Sequence, residues 1–395
     1  MATVLSPEFL LAAACAMWPP SDRRTEAILA ASTGPIDWTR FLRVVRRHRV
    51  LGLVHDGLKR ARPEVPPEIV QEISTRAATL VRDNLAMAAE TLRLQNMFDD
   101  GNLPTLFVKG ASLAVLAFGD LGLRRGKDID MLVASETLPA ATALLADAGY
   151  CRFDPPPDIS NASMRLLTPI RKDFGFIQES TGMVVELHWR LFLNPYALAE
   201  ASVMAASRTV PLTANAGVRT LGEEDLFSYL CMHGALHWWS QLKWLADIGA
   251  LLSAAPEGSA ERLNRAAEAR GGGRAAAQAT LLCHQLLGTR LPTPLLRRLD
   301  QCPKVRWLQE TALKAMTAGC GEREPREVRF GTTRGSLSAF LLGRGWRYRR
   351  AELRNLLTNE NDILAVTLPE WLWFLYPILR LPLWAHRHFT SQDVK

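Results

Sequence analysis

Apolar positions recur at helical spacing through the first hundred residues. Between residues 67 and 99, Ile69, Ile73, Ala77, Leu80, Leu85, Leu92 and Met97 fall near one face, which predicts one long helix. Pro63, Pro66 and Pro67 break the chain ahead of it. At the start, Ser6 precedes Pro7-Glu8-Phe9-Leu10, an N-cap followed by a proline in the first turn. Pro19-Pro20 ends that helix. Asp37-Trp38 opens a second helix through Phe41, Leu42 and Val45 toward Val50, carrying Arg43, Arg46, Arg47 and Arg49. These arginines read as a solvated basic face, or as a phosphate or nucleic-acid contact.

After residue 100 the pattern shortens. Apolar runs at 106–108, 131–133, 151–153, 172–178 and 183–191 read as strands. Helical patterns lie between them at 113–118 and 136–148, the second with Ser135 as its cap and Gly149 as its stop. Glu179-Ser180-Thr181-Gly182 is a hairpin signal, and Asp154-Pro155-Pro156-Pro157-Asp158 is a loop. Residues 191–222 look irregular, with short extended pieces at 210–212 and 218–221. Helical spacing returns at Glu223, resumes at 242–252, and continues to about residue 318. Residues 319–335, with Gly319, Gly321, Pro325, Gly331 and Gly335, read as a loop. The fold class expected is α+β: a small α/β core with a mixed sheet, flanked by helical regions. The boundaries expected are 1–100 (helical), 101–222 (α/β core), 223–320 (helical, beside the site) and 321–395 (basic and Trp-rich, helical).

The chemistry concentrates in residues 106–133. A small-residue turn, Lys109-Gly110-Ala111-Ser112, leads into a helix. Free N–H groups and the positive end of a helix dipole at such a turn favour phosphate, and the Ser112 hydroxyl adds a donor. A basic loop follows, Arg124-Arg125-Gly126-Lys127, then Asp128-Ile129-Asp130. On a strand, residues i and i+2 share a face, so Asp128 and Asp130 project together while Ile129 points inward. Paired carboxylates repel, and a hard divalent cation such as Mg²⁺ relieves them. Glu186, inside the apolar strand pattern Met183-Val184-Val185-Glu186-Leu187-His188-Trp189, supplies a third carboxylate. His188 shares its face and is an accessory candidate.

With these residues in place, the Gly-x-Ser turn followed by an Asp-x-Asp strand resembles the nucleotidyltransferase superfamily that includes DNA polymerase beta and the aminoglycoside nucleotidyltransferases. The wording Lys109-Gly110, Arg124 ahead of Asp128, then Glu186-Leu187-His188-Trp189 looks like a bacterial family of uncharacterised nucleotidyltransferases, over roughly residues 40–250. The gap between Ser112 and Asp128 is longer than is usual in the superfamily. The resemblance implies a polymerase beta-like core and transfer of a nucleoside monophosphate from a triphosphate. Asp128, Asp130 and Glu186 would be catalytic and would hold Mg²⁺, two ions or alternatively Mn²⁺. Lys109, Gly110, Ser112, Arg124 and Lys127 would bind the nucleotide. It further implies a biosynthetic setting, a small-molecule or peptide acceptor, and helices around His233 and Asp247 packed beside the site, which brings in Lys243 as an accessory residue.

Other residues are read more plainly. His233 and His237, at i and i+4, have zinc-ligand spacing, but His-Gly-Ala-Leu-His lacks the metalloprotease Glu, and packing against Trp238 and Trp239 is expected. Lys243 and Asp247 read as a helix pair. Lys172 and Asp173 read as surface residues.

Composition narrows the partners modestly. A net charge of +7 and a pI of about 9.3 over 395 residues permit an anionic substrate without demanding nucleic acid. The basic segments, 43–49 and 344–354, keep an RNA or protein acceptor (AMPylation) open, and a non-catalytic nucleotide-binding module is the third reading. Six scattered cysteines without a Cys-x-x-Cys pair suggest buried thiols in a reducing compartment. Leu11-Ala12-Ala13-Ala14-Cys15 superficially resembles a lipoprotein cleavage site, but no basic stretch precedes it; a cytoplasmic protein is expected. No stretch reaches the roughly 18 to 20 apolar residues of a spanning helix. Residues 368–384, with Trp371, Trp373, Phe374, Tyr376 and Trp384, read as a packed terminal segment that also suits a peripheral membrane contact.

Overall fold

The computed structural model describes residues 5–198, 203–327, 331–358, 360–366, 368–380 and 382. Ser6 Oγ accepts from the Phe9 N–H and caps α1 (Pro7–Cys15). A helix that the apolar pattern did not reveal follows, α2 (Asp22–Ser32). Its signal is weak because one of its two fully buried side chains is Arg24, whose guanidinium donates to Asp56, the Cys15 carbonyl and the Leu53 carbonyl. The helix from Trp38 also stops early. Arg49 adopts a left-handed backbone (φ 56°) and ends α3 (Trp38–His48); a further helix that the apolar pattern did not reveal, α4 (Leu51–Ala61), follows. Then comes α5 (Pro67–Asp100), 34 residues long.

The central sheet holds β1 (Thr105–Phe107), β2 (Ile129–Val133), β3 (Cys151–Asp154), β4 (Asp173–Gln178) and β5 (Met183–His188), in the order β1-β2-β5-β4-β3. The β2–β5 pair is parallel and the other pairs are antiparallel, so the sheet is mixed. Every residue of β2 is buried, as a central strand covered on both faces requires. On one side Leu94 and Phe98 of α5, and Ala141 and Leu145 of α7 (Leu138–Asp147), pack on Phe107, Met131, Phe176 and Val185. Between β1 and β2 lies α6 (Ala111–Phe118); between β3 and β4 lies α8 (Asn161–Leu167). Ser135 does not cap α7. It sits in a 3₁₀ turn and its hydroxyl donates to the Trp189 carbonyl. A separate antiparallel pair, β6 (Arg208–Pro211) and β7 (Gly217–Thr220), borders the sheet at β1.

The rest is helical: α9 (Glu223–Leu236), α10 (Leu242–Ala254), α11 (Ser259–Ala269), α12 (Gly273–Leu287), α13 (Thr293–Asp300), α14 (Pro303–Met316), α15 (Gly331–Leu342), α16 (Gly345–Leu357) and α17 (Glu360–Ala365). The architecture is therefore α+β, as expected. The stretch read as a loop at 319–335 is partly helix, since α15 begins at Gly331. Gly335 lies within it because a Cβ there would come 2.3 Å from the Trp238 ring. One apolar core runs from Phe9, Phe41 and Val54 through Leu226, Trp239 and Leu245 to Leu282 and Tyr348. It joins α1–α4 to α9–α12 directly.

Near the C-terminus, Trp373 and Tyr376 pack with Ile363 on Leu166 and Leu167 of α8, whereas Trp371 and Phe374 face solvent. Trp384 lies outside the described residues. Among the described residues no helix is long and apolar enough to cross a membrane.

Candidate active site

The β1 ladder extends one residue past the strand, because the Val108 N–H donates to the Asp130 carbonyl. That bond aims the next residue, Lys109, along the sheet edge. Lys109 Nζ lies 2.9 Å from Asp130 Oδ1, which is buried, while Lys109 is largely covered. Gly110 then takes φ 76° and ψ −132°, a conformation reserved for glycine, and turns the chain into α6. Lys109 and Gly110 both line a cleft of about 700 Å³.

The acidic side of the cleft is set by strand register. Asp130 and Glu186 are Cα partners across the parallel β2–β5 pair, so their side chains leave the same face side by side. Asp128 stands just before β2, half-buried, and lines the same cleft, while Ile129 is buried between. His188, two residues after Glu186, completes the group. Its Nε2 lies 3.3 Å from Asp130 Oδ1 and 3.5 Å from Glu186 Oε2.

Charge in this group is uneven. Burial works against the Asp130 carboxylate, yet the adjoining Lys109 ammonium and His188 hold it well below the usual range. Lys109 is likewise opposed by burial and held protonated by Asp130. Asp128 behaves oppositely: burial, then repulsion from Asp130 and Glu186, raises its pKa. His188 is buried and faces Lys172, both of which lower its pKa, but its bonds to Asp130 and Glu186 raise it overall.

Ligand atoms of Asp130, Glu186 and His188 lie within 4.8 Å of one another. Such a set could bind a divalent metal. Asp128 adds a carboxylate whose negative charge its neighbours resist, which is the condition a cation relieves. Oxygen donors with one imidazole fit a hard or borderline divalent ion. Lys109 and His188 already engage Asp130 Oδ1, and His188 also reaches Glu186 Oε2, leaving Asp130 Oδ2, Glu186 Oε1 and the Asp128 carboxylate as the open donors.

The cleft is also rich in cations. Arg49, Arg125, Lys127, Lys172 and Lys243 line the cleft with Lys109. Burial, then Arg124 and Arg49, lower the Lys243 pKa to about 7. Lys243 does not form the expected helix pair with Asp247. Asp247 instead accepts from Arg124 Nε at 2.9 Å, a buried bond. Arg124 therefore anchors the basic loop to α10, and Arg125 and Lys127 are the exposed cations beside it.

Ser112 departs from its expected role. Its side chain is fully buried, and the hydroxyl donates to the Phe107 and Lys109 carbonyls. It closes the turn from inside rather than facing the cleft. Conversely, Lys172 and Asp173 are not merely surface residues. Both line the cleft, and Asp173 Oδ2 lies 3.5 Å from His188 Nδ1. The hairpin carried that signal: counting back from the Gln178–Met183 pair places Asp173 opposite His188.

The rings of His233 and His237 lie 4.7 Å apart and pack on Trp244, at 5.6 and 5.4 Å. Burial pushes His233 well below its ordinary pKa. Together with Trp238 they form an aromatic wall on the cleft. Trp238 and Trp239 both take left-handed backbone (φ 59° and 52°). That turn is held by the Trp239 N–H on the Gly234 carbonyl and by Arg47, which donates to the Ser240 carbonyl at 2.7 Å.

A mixed sheet carrying register-paired acids, a glycine turn before a helix and a set of cations in the same cleft define a nucleotidyltransferase, a transferase enzyme that takes a nucleoside triphosphate. The chain belongs to the family described as uncharacterised nucleotidyltransferase, whose pattern it matches over residues 34–288. No curated protein gives a significant match.

Proposed function

We propose that this protein is a metal-dependent transferase of the polymerase beta-like superfamily. It moves a nucleoside monophosphate from a triphosphate to a small-molecule or peptide acceptor and releases pyrophosphate. The observation that carries this reading is the register pairing of Asp130 with Glu186 beside Asp128, in a cleft also lined by several cations.

The residues divide the work. Backbone N–H groups after Gly110, with Lys127 and Lys243, hold the β- and γ-phosphates. Lys109 stays on Asp130 and keeps that carboxylate charged and fixed. An acceptor oxygen bonds to the α-phosphorus, the bridging α–β P–O bond breaks, and pyrophosphate leaves. Glu186, half-exposed at the cleft, receives the acceptor proton, with His188 orienting it. A divalent ion of the Mg²⁺ or Mn²⁺ kind, held by Asp128, Asp130 and Glu186, would stabilise charge on the attacking and leaving oxygens.

The test supplies each α-³²P-labelled nucleoside triphosphate with Mg²⁺ and an acceptor pool from a cell lysate. Label moving to a new species, and lost in Asp128→Asn and Asp128→Ala/Asp130→Ala, supports the reading. Label transfer that persists in both variants refutes it.

A further inference from the structure

A second cavity of about 350 Å³ opens between α3 and α5. Arg49 and Arg125 line both it and the main cleft, so the two spaces meet at these guanidinium groups. Arg49 holds its left-handed backbone at this junction, where α3 ends. Leu42, Val45, Leu51 and Leu80 give the annex an aliphatic floor, and Arg46 and Arg76 give it a cationic rim. One carboxylate, Asp83, lines it against four arginines. Among the described residues Arg46, Arg49 and Arg125 form no ion pair, whereas Arg76 pairs with Glu72 on the same helix.

Each part of a nucleotidyl-transfer complex has a matching surface. The triphosphate belongs by the Gly110 turn and the paired acids. A base stacks on aromatic faces, which His233, His237, Trp238 and Trp244 provide across the cleft. The annex has no aromatic lining at all. What it offers is aliphatic surface beside unpaired guanidinium, the chemistry that receives a carboxylate or phosphate attached to an apolar body.

We infer that the annex is the acceptor subsite, and that it selects acceptors bearing an anionic group next to an aliphatic portion. This assignment rests on the transferase reading above. Bound there, the acceptor lies against Arg49 and Arg125, and its nucleophilic oxygen enters the cleft at the junction. That oxygen forms the new bond to the α-phosphorus, pyrophosphate departs, and the proton passes to Glu186.

The test uses the full chain and a diazirine-bearing octanoate as photoprobe, with cross-linked peptides mapped by mass spectrometry. Octanoate, octyl phosphate and octylamine serve as competitors, and a fluorescent ATP analogue is titrated in parallel. Thr79→Trp fills the annex from an exposed position on α5, and Arg46→Ala/Arg76→Ala strips the rim. Cross-links are expected on peptides containing residues 42–51 and 75–83. Octanoate or octyl phosphate displaces them, octylamine does not, and whichever anion competes better names the group preferred. In each variant labelling falls by about tenfold or more while ATP affinity stays within about twofold. Labelling elsewhere, labelling undiminished by Thr79→Trp, equal competition by octylamine, or no labelling at millimolar probe overturns the assignment. If the annex labels as expected but the unaltered protein binds no ATP analogue, the transferase reading fails, and the acceptor role falls with it.

Discussion

Lys109 and Asp130 form a largely buried ion pair, 2.9 Å from ammonium nitrogen to carboxylate oxygen, at the floor of the cleft. Removing one partner strands a charge away from water. Asp130→Asn is therefore expected to destabilise the protein by about 3–5 kcal/mol. Lys109→Met/Asp130→Asn is expected to recover much of that loss while remaining inactive. Urea unfolding of both variants, with label transfer measured alongside, checks the pair. A double variant no more stable than Asp130→Asn would show that the ion pair is not what holds this floor.

Lys243 provides a pH dependence with a definite sign. With its pKa at about 7 in the free protein, it is largely uncharged at pH 8. Triphosphate beside it favours the charged form, so binding draws a proton from solvent. Proton uptake is expected to approach about one per nucleotide near pH 8 and to fall toward zero below about pH 6, where Lys243 is already protonated. Calorimetry in two buffers of different ionisation enthalpy reads this directly. Lys243→Met removes the pH 8 uptake.

Ser112 and Gly110 should separate cleanly, although both belong to the same turn. Ser112→Ala removes donation to two backbone carbonyls inside the fold; it should cost about 1 kcal/mol and leave the KM for nucleotide nearly unchanged. Gly110→Ala meets no steric obstacle, since a Cβ there has nothing within 4 Å. Its backbone conformation is the problem, at about 1–3 kcal/mol. Because relief of that strain moves the N–H groups proposed to hold phosphate, the KM for nucleotide should rise. Steady-state kinetics and thermal unfolding on the two single variants distinguish the roles.

Gly234 is the space into which Trp239 fits. An added Cβ would stand 2.4 Å from that indole. Gly234→Ala is expected to cost about 1–3 kcal/mol or more and to disturb the left-handed Trp238–Trp239 turn that carries part of the aromatic wall. A lowered unfolding midpoint with a shifted tryptophan emission spectrum is the expected readout.

Much of the sheet was legible in the sequence because its strands are short, apolar and bounded by turn residues. The acids were legible for the same reason: a carboxylate inside such a run has few structural explanations. Side-chain direction at Ser112 was not, because a hydroxyl in a turn serves backbone carbonyls or a ligand equally well on sequence grounds. Arg124 was read as a phosphate contact because its partner, Asp247, lies 123 residues away. Lys172 and Asp173 were read as surface residues although the hairpin register already set Asp173 beside His188. Helix α2 escaped because a buried arginine occupies a position that an apolar pattern would need. The annex could not be read at all, since it arises only where α3 and α5 approach.

Arg47 extends the same lesson to the limits of family likeness. Its guanidinium donates to Ser240 in the turn between α9 and α10, and also to the carbonyls of Ala315, at 2.8 Å, and Met316, at 3.1 Å. The family match ends at residue 288, so two of those three acceptors fall beyond it. A fragment trimmed to the matched stretch would keep the acids, the glycine turn and the basic loop, yet leave this cation stranded behind the aromatic wall. Arg47 thus ties the matched stretch to α14, and chimeras between relatives should exchange α14 together with α3.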